Sequence, residues 1–319
     1  MAKKYDVHYD PASEVVIKAG ATGGIYTALT SILNPGDEVL IPTPIFPLYI
    51  AIVKLAGATP VFMDTSANGF VLSPEQLQTT LTEHPKTKAV VLNFPSNPTG
   101  VTYRHNDLKA LADVLADQPI FVLSDEIYSE LTYGEHHESI AKYLPEQTIL
   151  LNGVSKSHAM TGWRIGIMSA PEAITTQLGK IHQFTVTSTT TNAQAAAAEA
   201  LTNGMDDAQV MKREYQKRRD YLYEALNQLG FESAKPEGAF YLFSKIPAGL
   251  PRDSMAFCRE LAHDAKVALI PGSSFGPGGE GYVRISYAAS MTDLKTAVTR
   301  ISEYMVRKAM SGSARKSVV

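Results

Sequence analysis

Residues 152–166 read Asn-Gly-Val-Ser-Lys-Ser-His-Ala-Met-Thr-Gly-Trp-Arg-Ile-Gly, and the rest of the chain is organised around them. Lys156 lies among small polar residues, and Arg164 follows eight positions later. Apolar runs precede and follow the stretch, at Thr148–Leu151 and Ile165–Ala170. A lysine between two buried strands is partly withdrawn from water, which lowers its pKa and makes it a candidate nucleophile toward carbonyls. Taken alone, the stretch is equally compatible with a solvated loop lysine.

Composition narrows the class of function. The chain has 319 residues, is 45% apolar and 19% charged, and carries a net charge of −3, which is ordinary for a soluble enzyme of about two domains. Without a long basic run, a nucleic-acid or membrane-surface role is disfavoured, and no apolar run is long enough to span a bilayer. The single cysteine, Cys258, excludes an intrachain disulfide and favours a reducing, cytoplasmic location.

The first two-thirds of the chain alternate strand-like and helical runs. Most strand candidates are continuously apolar, as expected for strands covered on both faces of a mostly parallel sheet. This rhythm predicts an α/β domain, residues 1–206, with a seven-stranded, mostly parallel sheet. The predicted strands are Val15–Ala19, Glu38–Pro42, Thr59–Asp64, Ala89–Phe94, Pro119–Asp125, Thr148–Val154 and Arg164–Ala170. The predicted helices are Gly24–Leu33, Phe46–Ala56, Asn106–Asp117 and one that begins at the capping box Ser73-Pro74-Glu75-Gln76.

The pattern changes in the last third, which is predicted to form a smaller α+β domain over residues 207–319. Its strands are short, its first helix is highly charged, and its last nine residues, from Ser311, are predicted to fray. Helices of this domain are predicted at Asp207–Leu229, Asp253–Ala265 and Met291–Met310, after two that precede it at Ala173–Val186 and, rich in alanine, at Asn192–Thr202. Strands are predicted at Phe231–Glu232, Ala239–Phe243, Ala268–Ile270 and Tyr282–Ser286.

Ligands of open α/β sheets bind where strands end, so the residues that follow each strand are candidates for a site. The segment Gly20-Ala21-Thr22-Gly23-Gly24 follows the first strand, and its N–H groups and the Thr22 hydroxyl could hold a phosphate at a helix N-terminus. A plain glycine turn is the commoner alternative. The spacing differs from G-x-G-x-x-G, and the second strand ends without an acidic residue for a ribose, which counts against a nicotinamide enzyme.

Later strands are followed by further candidates. Phe46 and Tyr49 offer aromatic faces to a flat ring, although core packing is the commoner use of such residues. Asn97 is presented by a turn that two prolines stiffen. Asp125 ends an apolar strand, where a carboxylate needs a cationic or donor partner, or caps a helix. Arg284 lies within a hydrophobic strand and is suited to a carboxylate ligand or to an internal salt bridge.

Together these residues match the chemical groups of pyridoxal phosphate, whose protonated ring is an electron sink. The matching residues serve a phosphate (Thr22, Ser155, Arg164), a flat ring (Phe46), a protonated ring nitrogen (Asp125), a ring hydroxyl (Asn97, Tyr128) and an aldehyde (Lys156). Arg284 would hold the carboxylate of an amino acid. Isolated histidines and the pair His136-His137 show no metal-ligand spacing, so no metal site is predicted.

The chain resembles the class I, fold-type-I pyridoxal-phosphate aminotransferases over almost its whole length. The motifs occur in the family's order: Gly-Ala-Thr at 20–22, Asn-Pro-Thr-Gly at 97–100, Asp-Glu-Ile-Tyr at 125–128, then Ser155-Lys156, Arg164 and Arg284. The likeness is greatest to the bacterial aminotransferase A and aromatic amino acid aminotransferase group. It implies a cytoplasmic homodimer that moves an amino group from an aromatic amino acid or N-acetyl-LL-diaminopimelate to a 2-oxo acid, with 2-oxoglutarate expected.

The resemblance also implies a role for each motif residue. Lys156 forms a Schiff base with the cofactor and moves the substrate proton. Asp125 pairs with the ring nitrogen. The remaining roles are hydrogen bonding to the ring oxygen (Asn97, Tyr128), stacking on the ring (Phe46), phosphate binding (the Ala21 N–H, Thr22, Ser155, Arg164) and binding of the substrate carboxylate (Asn97, Arg284).

Two departures from the family pattern stand out. Many members have a phosphate-binding serine three positions before the lysine, where this chain has Gly153, and Ser155 is expected to compensate. The family's N-terminal arm, with a tyrosine that reaches the partner's phosphate, is expected to be absent. Two alternatives therefore stay open. One is a carbon–sulfur β-lyase on the same fold, and the other is a truncated, non-catalytic relative that binds the cofactor.

Overall fold

The computed structural model describes residues 1–316, which form two sheets and their surrounding helices. The strands are β1 Val15–Ala19, β2 Glu38–Thr43, β3 Thr59–Asp64, β4 Thr87–Asn93, β5 Phe121–Asp125, β6 Thr148–Gly153, β7 Ile165–Ser169, β8 Glu232–Ser233, β9 Tyr241–Lys245, β10 Ile270–Pro271 and β11 Tyr282–Ser286. The helices are α1 Ala2–Tyr5, α2 Gly20–Ile32, α3 Leu48–Leu55, α4 Pro74–Glu83, α5 His105–Leu115, α6 Val154–Ser157, α7 Glu172–Thr185, α8 Thr191–Thr202, α9 Asp207–Gln228, α10 Ser254–Ala265 and α11 Met291–Lys316. Within residues 1–316, no helix combines the length and apolarity needed to cross a membrane.

The large sheet has the strand order β1-β7-β6-β5-β4-β2-β3. Strand β7 is antiparallel to both of its neighbours, and the other neighbouring pairs are parallel. The predicted seven-stranded, mostly parallel sheet is therefore confirmed. Because β7 runs in the opposite direction, its first residue lies at the edge where β1 and β6 end. Arg164, directly before β7, is thereby brought to the carboxyl edge of the sheet.

Both faces of the large sheet are covered, as the continuous apolar runs predict. Along β4, Val91 packs into a core shared with α2, α3 and α7, whereas Val90 and Leu92 pack into a second core shared with α4 and α5. All three side chains are fully buried. Burial of each such side chain stabilises the fold by roughly 1.5–3 kcal/mol, so the sheet is held from both sides.

The smaller sheet has the order β10-β11-β9-β8 and is antiparallel throughout. One face packs on α9, α10 and α11 through a core that includes Val283 and Ile285 of β11. We propose residues 207–319 as the smaller domain, because α9 begins at Asp207 and the smaller sheet lies wholly after it.

Some predicted boundaries are wrong for identifiable reasons. Helix α2 begins at Gly20 rather than Gly24, so the glycine-rich segment is its first turn. Strand β9 begins at Tyr241 rather than Ala239, because Ala239 has a φ of 56° and cannot continue a strand. Helix α11 extends to Lys316, although fraying was predicted from Ser311. Residues 317–319 of that predicted tail lie outside the described part of the chain.

Lys18 in β1 is a buried cation within the large sheet. It is 1% exposed, its Nζ donates to Thr27 Oγ1 at 2.7 Å, and it lies 2.8 Å from His182 Nδ1. Burial lowers the pKa of Lys18 to about 8, and burial followed by the Lys18 charge lowers the pKa of His182. Below pH 8 the folded protein must therefore hold a poorly solvated charge.

We expect Lys18→Met to raise the thermal unfolding midpoint at pH 7, with a gain that shrinks toward pH 10. The lysine of the unfolded chain has a pKa near 10.4, whereas the pKa of Lys18 in the folded protein is about 8. As the pH rises from 8 to 10.4, the folded protein holds a neutral amine, so the destabilisation caused by burying the charge is progressively removed. Unfolding followed by circular dichroism at both pH values measures the effect, with Lys54→Met on the exposed side of α3 as the control. A loss of stability in Lys18→Met that is equal at both pH values would contradict the explanation.

Candidate active site

A cavity of about 330 Å³ opens at the carboxyl edge of the large sheet. It brings together the residues that the sequence singled out, although they are spread over more than 260 positions of the chain. The predicted residues that line it are Ala21, Thr22, Phe46, Asn97, Asp125, Tyr128, Ser155, Lys156, Arg164 and Arg284.

An anion-binding cradle forms where α2 begins. The first N–H groups of α2, including those of Ala21 and Thr22, have no carbonyl partner within the helix and carry the positive end of its dipole. Arg164 passes directly over Gly20, where an added Cβ would overlap its Nη2 atom. Gly20 also has a φ of 75°, which favours glycine. Glycine at position 20 therefore lets a guanidinium approach the helix N-terminus.

Gly153, the last residue of β6, differs from the family pattern for a visible reason. A Cβ at Gly153 would lie 2.7 Å from the Ile165 carbonyl oxygen and 3.1 Å from the Gly166 Cα. A serine at that position would force the backbones of β6 and β7 apart. Ser155, two residues later, is buried and lines the cavity, so it is the available hydroxyl on this segment.

Asp125 is a buried carboxylate at the end of β5. It is 3% exposed, its Oδ2 accepts a hydrogen bond from the Tyr49 hydroxyl at 2.6 Å, and its Oδ1 accepts one from the Ile127 N–H at 3.1 Å. The next helical turn begins only at Ser129, so the alternative of a helix cap is wrong. Burial outweighs these donors and raises the pKa of Asp125 to about 6. A cationic ligand in the cavity would supply the charge partner that the site provides only weakly.

Tyr49 is a functional candidate whose role the sequence did not reveal. It is 1% exposed, and its ring meets that of Phe46 edge to face at 6.1 Å between centroids. Its hydroxyl holds Asp125 in place. The available signal was a tyrosine among apolar residues in the first turn of a helix, because a buried hydroxyl requires a hydrogen-bond partner.

Lys156 lies one turn beyond β6, in α6, and is partly buried. Its Nζ lies 5.7 Å from the Tyr128 ring centroid and 5.6 Å from that of Phe240. Burial, followed by the charge of Arg164, lowers the pKa of Lys156. The alternative of a solvated loop lysine is therefore wrong, and the amine has the environment of a nucleophile or a proton carrier.

Arg284 reaches the cavity from the smaller sheet. Its Nη1 donates to Asn97 Oδ1 at 2.7 Å, and its guanidinium carbon lies 4.5 Å from the Tyr241 ring centroid and 5.0 Å from that of Phe275. The alternative of an internal salt bridge is wrong, because these partners are an amide and two rings. Among the described residues, nothing accepts a hydrogen bond from its buried Nε. The guanidinium is thus held in place but not neutralised, so it can bind a carboxylate.

Two of the histidines make internal contacts. His137 is buried and lies 2.7 Å from Glu126 Oε2, and His158 Nε2 lies 3.0 Å from the Gly204 carbonyl oxygen. No cluster of three or more His, Cys, Asp and Glu side chains suited to a metal ion occurs within residues 1–316.

Comparison with known proteins gives independent findings. A family model described as "Aminotransferase class I and II" matches residues 1–301. The chain is 49% identical over 308 residues to a Bacillus subtilis (strain 168) protein named "Probable N-acetyl-LL-diaminopimelate aminotransferase", a match that spans 97% of this chain and 78% of that protein. It is 42% identical over 321 residues to the aspartate aminotransferase of Geobacillus stearothermophilus, spanning 97% and 80% of the two chains. The crystal structure of the aromatic aminotransferase from Pyrococcus horikoshii OT3 superposes with a TM-score of 0.92 at 37% identity, over 97% and 83%.

Proposed function

This chain belongs to the class I and II aminotransferase family and is a transaminase, and we propose that it uses pyridoxal phosphate to move an amino group from an L-amino acid to 2-oxoglutarate. The donors that we propose are aromatic amino acids and N-acetyl-LL-diaminopimelate. One observation carries the proposal: the ten residues to which the family resemblance gives cofactor and substrate roles line a single cavity.

The donor set fits pyridoxal phosphate in three respects. The N-terminus of α2 and Arg164 form a cradle for the phosphate dianion. Asp125 is a buried carboxylate with a raised pKa, which a protonated ring nitrogen would stabilise as the anion. Lys156 offers an amine of lowered pKa for the aldehyde. When bound, the cofactor supplies that aldehyde and a protonated ring that withdraws electrons from the substrate Cα.

The side chains of this chain would carry the remaining tasks. Lys156 would take the proton from the substrate Cα and return it to the cofactor carbon that carried the aldehyde, and its lowered pKa favours this transfer near neutral pH. Arg284 and Asn97, already joined by a hydrogen bond, orient the α-carboxylate. Phe46 would cover one face of the ring, and Tyr128 and Asn97, which also line the cavity, would contact its oxygen.

Two observations support the proposed donors. Beyond the rings of Phe46 and Tyr128, which are assigned to the cofactor, Tyr241 adds a further aromatic ring to the cavity wall, which suits an aromatic side chain. The relative at 49% identity is named "Probable N-acetyl-LL-diaminopimelate aminotransferase". A panel of donors distinguishes the two substrate classes.

We also propose a cytoplasmic homodimer. Exposed apolar side chains support association, since Phe184 in α7 is 87% exposed and Trp163, shortly before β7, is 50% exposed. The lone cysteine, Cys258, is compatible with a reducing compartment. Light scattering coupled to size-exclusion chromatography measures the oligomeric state, and a monomer at micromolar concentration would contradict the proposed dimer.

The direct test is to purify the 319-residue protein with pyridoxal phosphate and assay it with 2-oxoglutarate. Phenylalanine, tyrosine, aspartate and N-acetyl-LL-diaminopimelate form the donor panel, and glutamate formation is the readout. We expect glutamate with phenylalanine, tyrosine or N-acetyl-LL-diaminopimelate, and less with aspartate. Release of ammonia and pyruvate from cysteine conjugates, without glutamate formation, would favour the β-lyase instead.

We expect Arg284→Ala to raise KM for the donor and for 2-oxoglutarate on the order of a hundredfold, because removing one member of a buried charge pair costs several kcal/mol. The change in kcat should be smaller, since the carboxylate is bound in the ground state as well as in the transition state. Steady-state kinetics measure both constants, with Arg300→Ala on the exposed side of α11 as the control. An unchanged KM would show that Arg284 does not hold the carboxylate.

A further inference from the structure

The face of the smaller sheet that looks toward the cavity is aromatic. In β11, Tyr282 and Arg284 lie on one face, because side chains alternate along a strand and Val283 packs into the core on the other face. Phe243 of β9 lies directly opposite Arg284 in the antiparallel register. Arg284 therefore projects from a surface of rings.

These rings form a continuous cluster that reaches the arginine through Phe275. Phe243 and Tyr282 are stacked, with centroids 5.1 Å apart and an interplanar angle of 5°. Phe275 meets Phe243 edge to face at 6.0 Å and lies 5.0 Å from the Arg284 guanidinium. The position of the guanidinium thus depends on rings that also pack against one another.

Phe70 completes the cluster from the side of the large sheet, because it belongs to the segment that joins strand β3 of that sheet to α4. Its ring meets Phe243 at 5.5 Å and 80°, and Tyr282 at 5.5 Å and 84°. Edge-to-face contacts of this kind are favourable beyond the burial of area.

The backbone at Phe70 is unusual for an aromatic residue. Its φ of 68° lies in the left-handed region, and its N–H donates to the Thr65 carbonyl at 2.9 Å. Large side chains rarely adopt this conformation, and it persists only where surrounding contacts determine it. The strained turn directs the ring into the smaller sheet.

We propose that Phe70 is a positioning residue for Arg284, acting through Phe243, Tyr282 and Phe275 to fix the guanidinium that binds the substrate carboxylate. Ring faces do not neutralise the charge of a guanidinium. They fix its orientation only if the rings are themselves held in place. Phe70 ties Phe243, which packs against Phe275, to the large sheet, and the same sheet carries Asn97, which hydrogen-bonds to Arg284. This inference rests on the proposed function, because it assumes that Arg284 binds a substrate carboxylate.

The test uses the holoenzyme and three variants of one position. Phe70→Asn removes the ring but keeps a residue that tolerates left-handed backbone. Phe70→Tyr keeps the ring, and Phe70→Leu keeps an apolar side chain without one. Phe62→Asn, the same change on the exposed side of β3, is the matched control, since Phe62 is 39% exposed.

The readouts are the Kd of 3-phenylpropanoate, a carboxylate that has no amine, and the steady-state constants. We expect Phe70→Asn to raise this Kd and both KM values about tenfold, the size of one or two lost aromatic pairs, with kcat changed about twofold or less. Phe70→Leu should follow Phe70→Asn, whereas Phe70→Tyr and Phe62→Asn should match the wild type. Should Phe70→Asn not fold, Phe70→Leu carries the comparison.

A Kd and KM unchanged in Phe70→Leu, or in a folded Phe70→Asn, would overturn the inference, because Phe70 would then be a packing residue only. An equal rise in Phe62→Asn would overturn it as well. Failure of the proposed function is a separate outcome, since it would show as a wild-type holoenzyme that transfers no amino group. The Kd of 3-phenylpropanoate remains measurable in that case and still tests the link between Phe70 and Arg284.

Discussion

Replacing Lys156 by alanine should reduce turnover on the order of ten-thousandfold, because the variant loses both the amine that engages the cofactor and the group that moves the substrate proton. The surroundings of Lys156 support this double role. The Tyr128 and Phe240 rings lie within 6 Å of Nζ, and burial together with the Arg164 charge lowers the pKa of the amine. No other lysine lines the cavity in the described part of the chain.

Two readouts follow the Lys156→Ala variant. Glutamate formation measures turnover, and the visible spectrum of the bound cofactor reports its link to the lysine. The spectrum should change to that of free pyridoxal phosphate, while the variant still binds the cofactor through the phosphate cradle. Lys54→Ala, on the exposed side of α3, controls for the loss of a positive charge. Wild-type turnover in Lys156→Ala would refute the assignment of the catalytic amine.

Asp125→Asn should reduce turnover on the order of a thousandfold and weaken cofactor binding, because asparagine is isosteric but cannot stabilise a protonated ring nitrogen. Removing the charge of a buried pair leaves the partner cation uncompensated. Tyr49→Phe is the graded comparison, since it deletes the 2.6 Å hydrogen bond to Asp125 and leaves the carboxylate. We expect Tyr49→Phe to lose about tenfold or less in turnover.

The raised pKa of Asp125 gives a second readout that does not depend on turnover. In the cofactor-free protein this pKa is about 6, so below pH 6 the carboxyl is neutral and offers no charge to a pyridinium. The affinity for pyridoxal phosphate should therefore fall as the pH drops through 6. The midpoint should move upward in Tyr49→Phe, because the tyrosine hydrogen bond favours the carboxylate. Titration of cofactor binding against pH measures both effects, and a pH-independent affinity in the wild type would contradict the pairing.

Local patterns were sufficient to predict the large sheet and the cavity residues. Continuous apolar runs marked strands buried on both faces, and Val90, Val91 and Leu92 of β4 show this directly, since neighbours along the strand enter two different cores. The site residues follow strands, and strand ends converge at one edge of a parallel sheet. Asn97 and Asp125 could therefore be assigned to the same edge of the sheet from the sequence alone, and both line the cavity.

Contacts between distant segments could not be predicted in this way. The Tyr49 hydroxyl reaches Asp125 across 76 positions, and Arg284 reaches Asn97 across 187. An aromatic residue in an apolar segment packs in the core by default, so periodicity does not distinguish Tyr49 or Phe70 from other rings. Lys18 was missed for the opposite reason, because a lysine within a short strand is expected to reach solvent.

Element ends were predicted less well than elements because they depend on single residues. At the start of α2, four residues that were assigned to a glycine-rich turn are helical, and this places the phosphate cradle within the first turn. At β9, the left-handed conformation of Ala239 delays the strand. Such backbone choices follow from packing against other segments, which the local sequence does not specify.

Borohydride reduction of the holoenzyme followed by peptide mapping tests the central claim most directly. The cavity of Lys156, Asp125 and Arg164 is the cofactor site in this account, so the reduced pyridoxyl group should be found on Lys156 alone. Its attachment to a different lysine, or a protein that retains no cofactor under saturating pyridoxal phosphate, would contradict the account.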